Sequence, residues 1–522
     1  MRWDKHAVRI GLEEVGECRP IVLAKLKKLL DSYHGDTKSL AYYDLLAGDW
    51  LEHYLHLVYA AWREVLAGNV STGSQLIPVA ADLADQAKQR WQLSGLDSHL
   101  RWAVGSLLEG GSPKEWKFER ESVVILSGLR ERFPVRFLRY FSTKNPHVIV
   151  TYPFYKCPNY EWFSALWYWR RWIVWDDIQY QIRITSQIDT AWRKAQSMLL
   201  IKPINLSELV QVLMPLHLPV ALLEGFIDYR QAVLEFPVAR PKIVYSANAL
   251  HNHLAWKLLV AEWREKGTLL LYHQHGGGYG IDRIHAVEEF ETRVSDHFYT
   301  FGWCSDKSNI KPLSPPLPKV PRRSRKGILL SCLDMPQVVY RLHFAPMPGT
   351  VEVLHFETCK FLSALSDRSN LLIRPYHDDY GWGFVDMMRK AAPDAIFDDL
   401  RRSSFIRYAE SRLVIQNYLG TGWLETLALD IPTVCFYDPE TYDFREIAQP
   451  YIEALESVGV VHRSGVSAAR FVDGLGNNIE SWWKKHEVQV ARQNFVKHYA
   501  NFSPDWKEQW EREFKSLLDE AR

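Results

Sequence analysis

The sequence predicts an α/β fold of two Rossmann-like domains, with helical additions at the N-terminus and helices at the C-terminus. The chain has 522 residues, too many for one ordinary hydrophobic core. Short apolar segments alternate with helical patterns in both halves, which is typical of parallel sheets covered by helices. A proline-rich segment separates the halves. We expect an N-terminal domain at 1–310, a linker at 311–326, a C-terminal domain at 327–480 and terminal helices at 481–522.

Composition narrows the classes of function. The formal net charge is +1 and charged residues make up 24%, so no bulk field attracts nucleic acid. Six scattered cysteines without a CxxC pair argue against a zinc site or a disulfide framework, and no metal site is predicted. The charged N-terminus has no apolar signal region, and no apolar run reaches about 18 residues. We expect a cytoplasmic protein, with peripheral contact with the inner membrane left open.

The first half begins with helical patterns. Apolar residues near a 3.6-residue spacing predict helices at 21–30 and 76–91, and a turn around Gly48 precedes an aromatic helix. Segments 123–126 and 148–152 are β-branched and predict strands. Residues 159–177 are crowded with tryptophan and tyrosine, which suits either an interfacial membrane helix or a buried aromatic helix. The buried helix is favoured because the aromatic residues occupy most of its circumference.

A strand, helix and strand follow one another at 243–246, 256–266 and 268–271. This order predicts a parallel crossover, which places Asn248 and the loop 274–280 at the same C-terminal edge of one sheet. Open α/β sheets bind their ligands at that edge. The loop has four glycines in five positions, which indicates a sharp turn or a close approach of another molecule. Its candidate substrate-binding residues, with two neighbours, are Asn248, Gln274, Gly276, Gly277, Gly278, Tyr279 and Arg283.

His275 is the candidate general base of this loop. An imidazole with an ordinary pKa near 6.5 is largely able to accept a proton from a hydroxyl at neutral pH. The alternative is a structural histidine that is hydrogen-bonded within the turn. Glu224 is a second candidate for a catalytic base or nucleophile.

The second half carries a candidate phosphate-binding turn. A strand ending near Asn417 leads into Gly420-Thr421-Gly422, which opens a helix, and helix N-termini bind phosphates through unpaired N–H groups. Glu425 falls about one turn into that helix, where it could accept hydrogen bonds from ribose hydroxyls. The alternative is an ordinary helix N-terminus with a solvated glutamate.

Another strand of the second half ends in Arg374, with His377 just beyond it. Either side chain could neutralise a phosphate leaving group. The alternative is an arginine paired with Asp378 or Asp379 at the surface. Ser403 and Ser404 are weaker candidates for the same pocket.

The order of these motifs resembles that of a bacterial transferase family found in surface-carbohydrate gene clusters. The similar segments are 246–249, 256–267, 274–280, 295–303, 374–376 and 417–432, with a weaker similarity at 48–51. Residues 414–434 also resemble the donor-nucleotide region of glycosyltransferases with the GT-B fold. The resemblance implies a GT-B-like fold and sugar transfer in lipopolysaccharide or capsule assembly.

A more distant resemblance is to the retaining β-Kdo transferases, which use a CMP-linked donor. Some of those enzymes carry an acidic residue followed by glycine where this chain has His275-Gly276. With His275 as base, we expect direct, inverting displacement instead.

The resulting hypothesis is a glycosyltransferase with its acceptor on the first domain and its nucleotide sugar, CMP-linked or otherwise, mainly on the second. It needs no cofactor and no metal, and its partners are the nucleotide sugar and a glycan or lipid-linked acceptor. The alternatives are a nucleotide-sugar epimerase or hydrolase on the same fold, or a non-catalytic carbohydrate-assembly protein.

Overall fold

A computed structural model describes residues 5–69, 74–81, 95–129, 147–151, 172–175, 179–198, 203–235, 239–251, 253–283, 285–315, 325–335 and 350–520. Its helices are α1 Lys5–His34, α2 Leu40–Leu66, α3 Gly95–Leu108, α4 Thr190–Ser197, α5 Leu206–His217, α6 Phe226–Leu234, α7 Leu254–Arg264, α8 Ala286–Val294, α9 Val351–Ala364, α10 Phe384–Ala391, α11 Ser404–Glu410, α12 Thr421–Ala428, α13 Gln449–Ser457, α14 Gly465–Leu475, α15 Ile479–Trp483, α16 His486–Tyr499 and α17 Trp506–Glu520.

The strands are β1 Leu76–Ile77, β2 Lys117–Phe118, β3 Ser122–Leu129, β4 Val148–Thr151, β5 Trp172–Trp175, β6 Gln179–Gln187, β7 Ile243–Ser246, β8 Leu269–His273, β9 His297–Thr300, β10 Ile310–Pro312, β11 Ile328–Ser331, β12 Leu371–Arg374, β13 Ile396–Phe397, β14 Leu413–Gln416, β15 Thr433–Phe436 and β16 Val461–His462.

The first large sheet has six strands in the order β10-β9-β8-β7-β4-β5, and every neighbouring pair is parallel. Its strands are short and apolar because both faces are covered, as expected for a parallel sheet. Ser246 of β7 lies beside Tyr272 of β8, so the residues that follow both strands emerge at one edge. The predicted crossover at 243–271 is therefore confirmed as a parallel unit, with α7 between its strands.

The second large sheet also has six parallel strands, in the order β13-β12-β11-β14-β15-β16. Numbered within the domain, this is 3-2-1-4-5-6, the doubly wound Rossmann order. The strand order reverses between β11 and β14, so the ligand-binding crevice of such a sheet is expected where these two strands end. The predicted fold class of two Rossmann-like domains is confirmed.

The N-terminal addition is a pair of long helices, α1 and α2. The predicted turn at Gly48 is wrong, because α2 continues through it without a break. Gly48 is there for a different reason: a Cβ at this position would lie 2.9 Å from the Phe290 ring of α8. The glycine lets α2 lie against α8, and the next residue, Asp49, is also buried.

Two other local predictions need correction. Leu76–Ile77 is a short strand that pairs with β2, so residues 76–81 do not begin the predicted helix, and residues 82–94 lie outside the described part of the chain. Trp172–Trp175 forms β5 beside β4 instead of ending an aromatic helix. The remainder of the aromatic segment at 159–177 lies outside the described residues.

The C-terminal helices pack on different sheets. The ring of Phe495 in α16 lies 4.6 Å from Trp423 of α12, in the second domain. Helix α17 instead buries Trp510 and Phe514 against the first sheet, and the Trp510 indole donates to the carbonyl of Ser314. The chain thus returns to the first domain at its end, and the predicted unit 481–522 is shared between the two sheets.

Candidate functional site

The two sheets face each other through the loop after β8 and the N-terminus of α12. The N–H of Gly277 donates to the Thr421 hydroxyl over 3.1 Å. A Cβ on Gly277 would lie 2.4 Å from the carbonyl carbon of Gly420, so the two backbones meet where only glycine fits. The glycine loop and the predicted phosphate-binding turn, separated by 144 residues, are therefore in direct contact, and we treat them as the two walls of one candidate site.

Gln274 fixes the shape of the loop. Its Oε1 accepts hydrogen bonds from the Phe301 backbone N–H and the Trp303 indole, both at 2.9 Å. Its Nε2 donates to the carbonyl of Gly276 over 2.9 Å. The amide of this buried side chain is therefore engaged within the protein, which makes Gln274 the anchor of the loop in this structure.

The two histidines of the segment lie in different environments. His273 is buried and its ring nitrogens contact the carbonyls of Gln274 and Leu313; burial lowers its pKa to about 4. His275 is partly exposed, and its Nδ1 lies 3.3 Å from Glu291 Oε1 and 3.2 Å from the Tyr279 hydroxyl. His275 is thus the histidine of this pair that has both a carboxylate partner and access to solvent.

A buried polar network lies behind His275. The Tyr279 hydroxyl donates to Glu291 Oε2 over 2.8 Å, and His251 Nε2 lies 2.6 Å from Glu291 Oε1. On its other side, His251 Nδ1 lies 3.2 Å from a carboxylate oxygen of Asp49 in α2. The network therefore joins α2, the segment after β7 and α8 to the glycine loop.

The pKa values in this network follow from burial and close charges. Burial alone would lower the pKa of His251, but its hydrogen bonds and attraction to Asp49 and Glu291 raise it to about 9. Burial raises the pKa of Glu291 to about 7. Burial opposes the ionisation of Asp49 as well, but the positive charges of His53, His251 and Lys257 hold its pKa well below the usual range. His251 therefore carries the proton between two carboxylates.

The wall formed by the second domain is built around the start of α12. Thr421 is partly exposed at its first position, whereas Glu425 is buried near Tyr408 and Tyr418. Asn417 is fully buried, and its amide bonds the Leu333 backbone N–H and the Thr358 hydroxyl. Asn417 thus ties β14 to the segment after β11, at the point where the strand order reverses.

Arg374 pairs with neither of the two aspartates considered from the sequence. It contacts the buried Asp398, which Arg407 also holds through a 2.6 Å hydrogen bond. Burial opposes the charge of Asp398, but the two arginines lower its pKa. His377 is exposed and lies 3.2 Å from Asp378. Ser403 caps α11 by accepting from the N–H of Ile406.

A family model, that of the LIC12162 family transferases, matches residues 4–514 of the chain. The chain belongs to this family. It is therefore a transferase, and the match includes both sheets and the N-terminal helices. No curated protein matches its sequence.

Solved structures of other proteins are similar to this chain at low identity. TarM is 12% identical, with 56% of this chain and 58% of TarM covered and a TM-score of 0.36. MnaA of S. aureus, solved with UDP, is 10% identical, with 72% and 97% covered and a TM-score of 0.39. An O-GlcNAc transferase mutant of Thermobaculum terrenum is 13% identical over 100% of both chains, with a TM-score of 0.35. Similarity at this level carries no information about the reaction.

The structure keeps Glu224 and Arg283 in ion pairs with other parts of the protein. Glu224 accepts two hydrogen bonds, at 2.6 and 2.7 Å, from the buried Arg193 guanidinium. Arg283 lies in the contact between the domains, where its backbone N–H donates to the carbonyl of Asp443 and its Nε lies 3.4 Å from the Asp443 carboxylate. Asn248 is exposed just beyond β7, at the predicted edge of the first sheet. The roles of these residues in binding or catalysis stay predictions.

Three residues of the network, Asp49, His251 and Glu291, were not predicted as site residues. They come from three separate segments, so no local spacing joins them. One signal did exist for Asp49, because the weak family resemblance at 48–51 included it. That resemblance carries no information about which residues Asp49 contacts, so it does not by itself make Asp49 a site residue.

Among the described residues, no helix combines the length and the apolar character that crossing a bilayer requires.

Proposed function

We propose that this transferase is a glycosyltransferase that moves a sugar from a nucleotide-sugar donor to a growing surface polysaccharide or a lipid-linked glycan. The observation that carries the proposal is the contact of Gly277 with Thr421, because it brings a histidine-bearing loop to the N-terminus of a Rossmann helix. A donor phosphate at that N-terminus would lie within a few ångströms of the glycine loop. Donor and acceptor chemistry would then meet between the domains.

In this proposal the second domain binds the nucleotide-sugar donor and the first domain activates the acceptor. The unpaired N–H groups of α12 and the Thr421 hydroxyl bind the diphosphate or monophosphate, and Glu425 accepts from the ribose. Arg374 offsets the charge of the leaving phosphate. On the facing wall, His275 takes the proton of the acceptor hydroxyl as that oxygen attacks the anomeric carbon, and the nucleotide leaves from the opposite face. The direct displacement inverts the configuration of the sugar.

The identity of the acceptor rests on the family resemblance. The segments 274–280 and 417–432 resemble transferases of surface-carbohydrate clusters, so we infer an acceptor from lipopolysaccharide or capsule assembly. A lipid-linked acceptor would bring the protein to the inner face of the membrane as a peripheral partner. The more distant resemblance to the β-Kdo transferases places a CMP-linked donor among the nucleotide sugars to be tested first.

Thermal unfolding with CMP-, UDP-, GDP- and CDP-sugars tests the donor. A nucleotide sugar at 100 times its dissociation constant is expected to add about 2.7 kcal/mol of stability. If no nucleotide sugar stabilises the protein, the proposal that this site binds a nucleotide-sugar donor is contradicted, and so are the epimerase and hydrolase alternatives. The donor found in this way then serves in a transfer assay with isolated glycan fragments as acceptors.

The replacement His275→Ala tests the role of His275 in transfer, and assays with and without acceptor distinguish a glycosyltransferase from an epimerase or hydrolase. We expect kcat for transfer to fall about 100-fold, because general base catalysis contributes at least that factor, while donor stabilisation remains. Turnover of the nucleotide sugar without any acceptor would instead favour an epimerase or hydrolase. Unchanged transfer by both His275→Ala and Glu425→Ala would show that the site has been misplaced.

A further inference from the structure

We propose that Glu291 is the positioning residue for His275, with Asp49 and His251 holding Glu291 in place from behind. Glu291 fixes the imidazole by Nδ1, so that Nε2 is the nitrogen that receives the acceptor's proton. This inference rests on the proposed function, in which His275 acts as the base. It assigns a role to a helix of the N-terminal addition, since Asp49 comes from α2.

The tautomer follows from the groups around Nδ1. The Tyr279 hydroxyl gives its own hydrogen to Glu291 Oε2, so its oxygen faces His275 as an acceptor. Glu291 Oε1, the second neighbour of Nδ1, is also an acceptor. A nitrogen between two acceptors carries the proton, and a neutral imidazole then leaves Nε2 as the basic nitrogen. This is the orientation that a general base requires.

The buried carboxylate also favours the charge that forms during transfer. When Nε2 takes a proton, His275 becomes a cation, and an ionised Glu291 at 3.3 Å stabilises it. Burial opposes the ionisation of Glu291, but the 2.6 Å hydrogen bond and the positive charge of His251 favour it, and Asp49 in turn stabilises the charge on His251. Among the described residues, the ionisable groups facing this network include His53, Lys257, Tyr272, Tyr279, His285 and Glu288.

His251, His275 and Glu291 are also residue types that bind metal ions, so a metal site has to be considered. Ligand atoms of His251, His275 and Glu291 all lie within 4.8 Å of one another. Two ligands of a tetrahedral zinc with bonds of about 2.0–2.1 Å are separated by about 3.3 Å. The separation of 2.6 Å between His251 Nε2 and Glu291 Oε1 is instead that of a charge-assisted hydrogen bond. The geometry therefore favours a shared proton.

Glu291→Gln tests the proposal, because it keeps the shape of the side chain and removes its charge. We expect kcat for transfer to fall about 100-fold with KM changed less than about threefold, since a uniform binding role would change KM instead. The acidic limb of the kcat/KM profile should move to lower pH, because a cationic His275 loses its carboxylate partner. Glu291→Asp should restore part of kcat.

Glu262→Gln is the matched control. Glu262 is also a buried glutamate that accepts from a tyrosine hydroxyl, here that of Tyr42, but it pairs with Arg230 away from the network. Its replacement should lower stability and leave the pH profile unchanged. Thermal unfolding of all three variants shows whether they are folded under the assay conditions.

A second readout needs no turnover. Acylation of His275 by diethyl pyrocarbonate, followed by mass spectrometry across a pH series, reports when the ring loses its proton. Its midpoint should fall in Glu291→Gln and stay unchanged in Glu262→Gln. An unchanged midpoint would overturn the proposal, as would one equivalent of zinc that is bound by the parent and lost in Glu291→Gln. A lowered midpoint in a protein without any transfer activity would refute the proposed function and support the pairing.

Discussion

Replacement of Gly277 by alanine is expected to lower kcat/KM for sugar transfer about 100-fold and to destabilise the protein by about 1–3 kcal/mol. The added Cβ would lie 2.4 Å from the carbonyl carbon and 2.6 Å from the carbonyl oxygen of Gly420. These are backbone atoms, so the two walls must separate by about 1 Å, which is enough to cost roughly 100-fold in a positioned reaction. Overpacking of a tight contact accounts for the loss of stability.

Gly276→Ala provides the comparison for this effect. A Cβ on Gly276 would meet the Thr421 hydroxyl at 3.4 Å and the Tyr279 ring at 3.9 Å, which are ordinary contacts. Its free energy of unfolding should stay within about 0.5 kcal/mol of the parent. Thermal unfolding of both variants, followed by transfer assays with the donor found by screening, gives the measurement. Equal stability of the two variants would mean that the domains do not approach this closely in solution.

The sequence predicted the sheets well because their signals are local. The apolar runs at 243–246 and 268–271 and the run that ends near Asn417 predicted strands, and β7, β8 and β14 occupy these positions. Prediction was wrong where distant packing decides the structure. A glycine at position 48 is typical of a turn, but Gly48 lies inside α2, where the missing side chain leaves room for Phe290 of α8, a contact that no local window contains. Similarly, 172–175 became a strand because β4 lies beside it.

The candidate site shows the same difference between local and distant signals. Glycine-rich turns after strands are visible in the sequence, and the structure brings those at 274–280 and 420–422 together. What the patterns could not supply is the partner of each polar side chain. Arg374 pairs with Asp398 instead of Asp378 or Asp379, and His275 faces Glu291, because these contacts are set by strand order and helix packing. Polar networks between elements require the three-dimensional arrangement.

Glu224→Ala is expected to destabilise the protein by about 3–5 kcal/mol without a specific effect on the chemical step. Glu224 and Arg193 form an ion pair whose side chains are 4% and 0% exposed. Removing one partner leaves a buried charge uncompensated, which is the costly way to break such a pair. Arg193 also donates to the carbonyls of Pro215 and Leu216, so it cannot turn outward without losing those bonds as well.

Measurement of both stability and turnover distinguishes this structural role from the catalytic role predicted for Glu224. Denaturant unfolding should show the loss, whereas kcat per folded molecule should stay within about threefold of the parent. The double replacement Arg193→Met with Glu224→Leu should recover much of the stability, because apolar residues of similar volume often replace a buried ion pair without loss. A fall in kcat of about 100-fold in a fully folded Glu224→Ala protein would instead support the catalytic role predicted for Glu224.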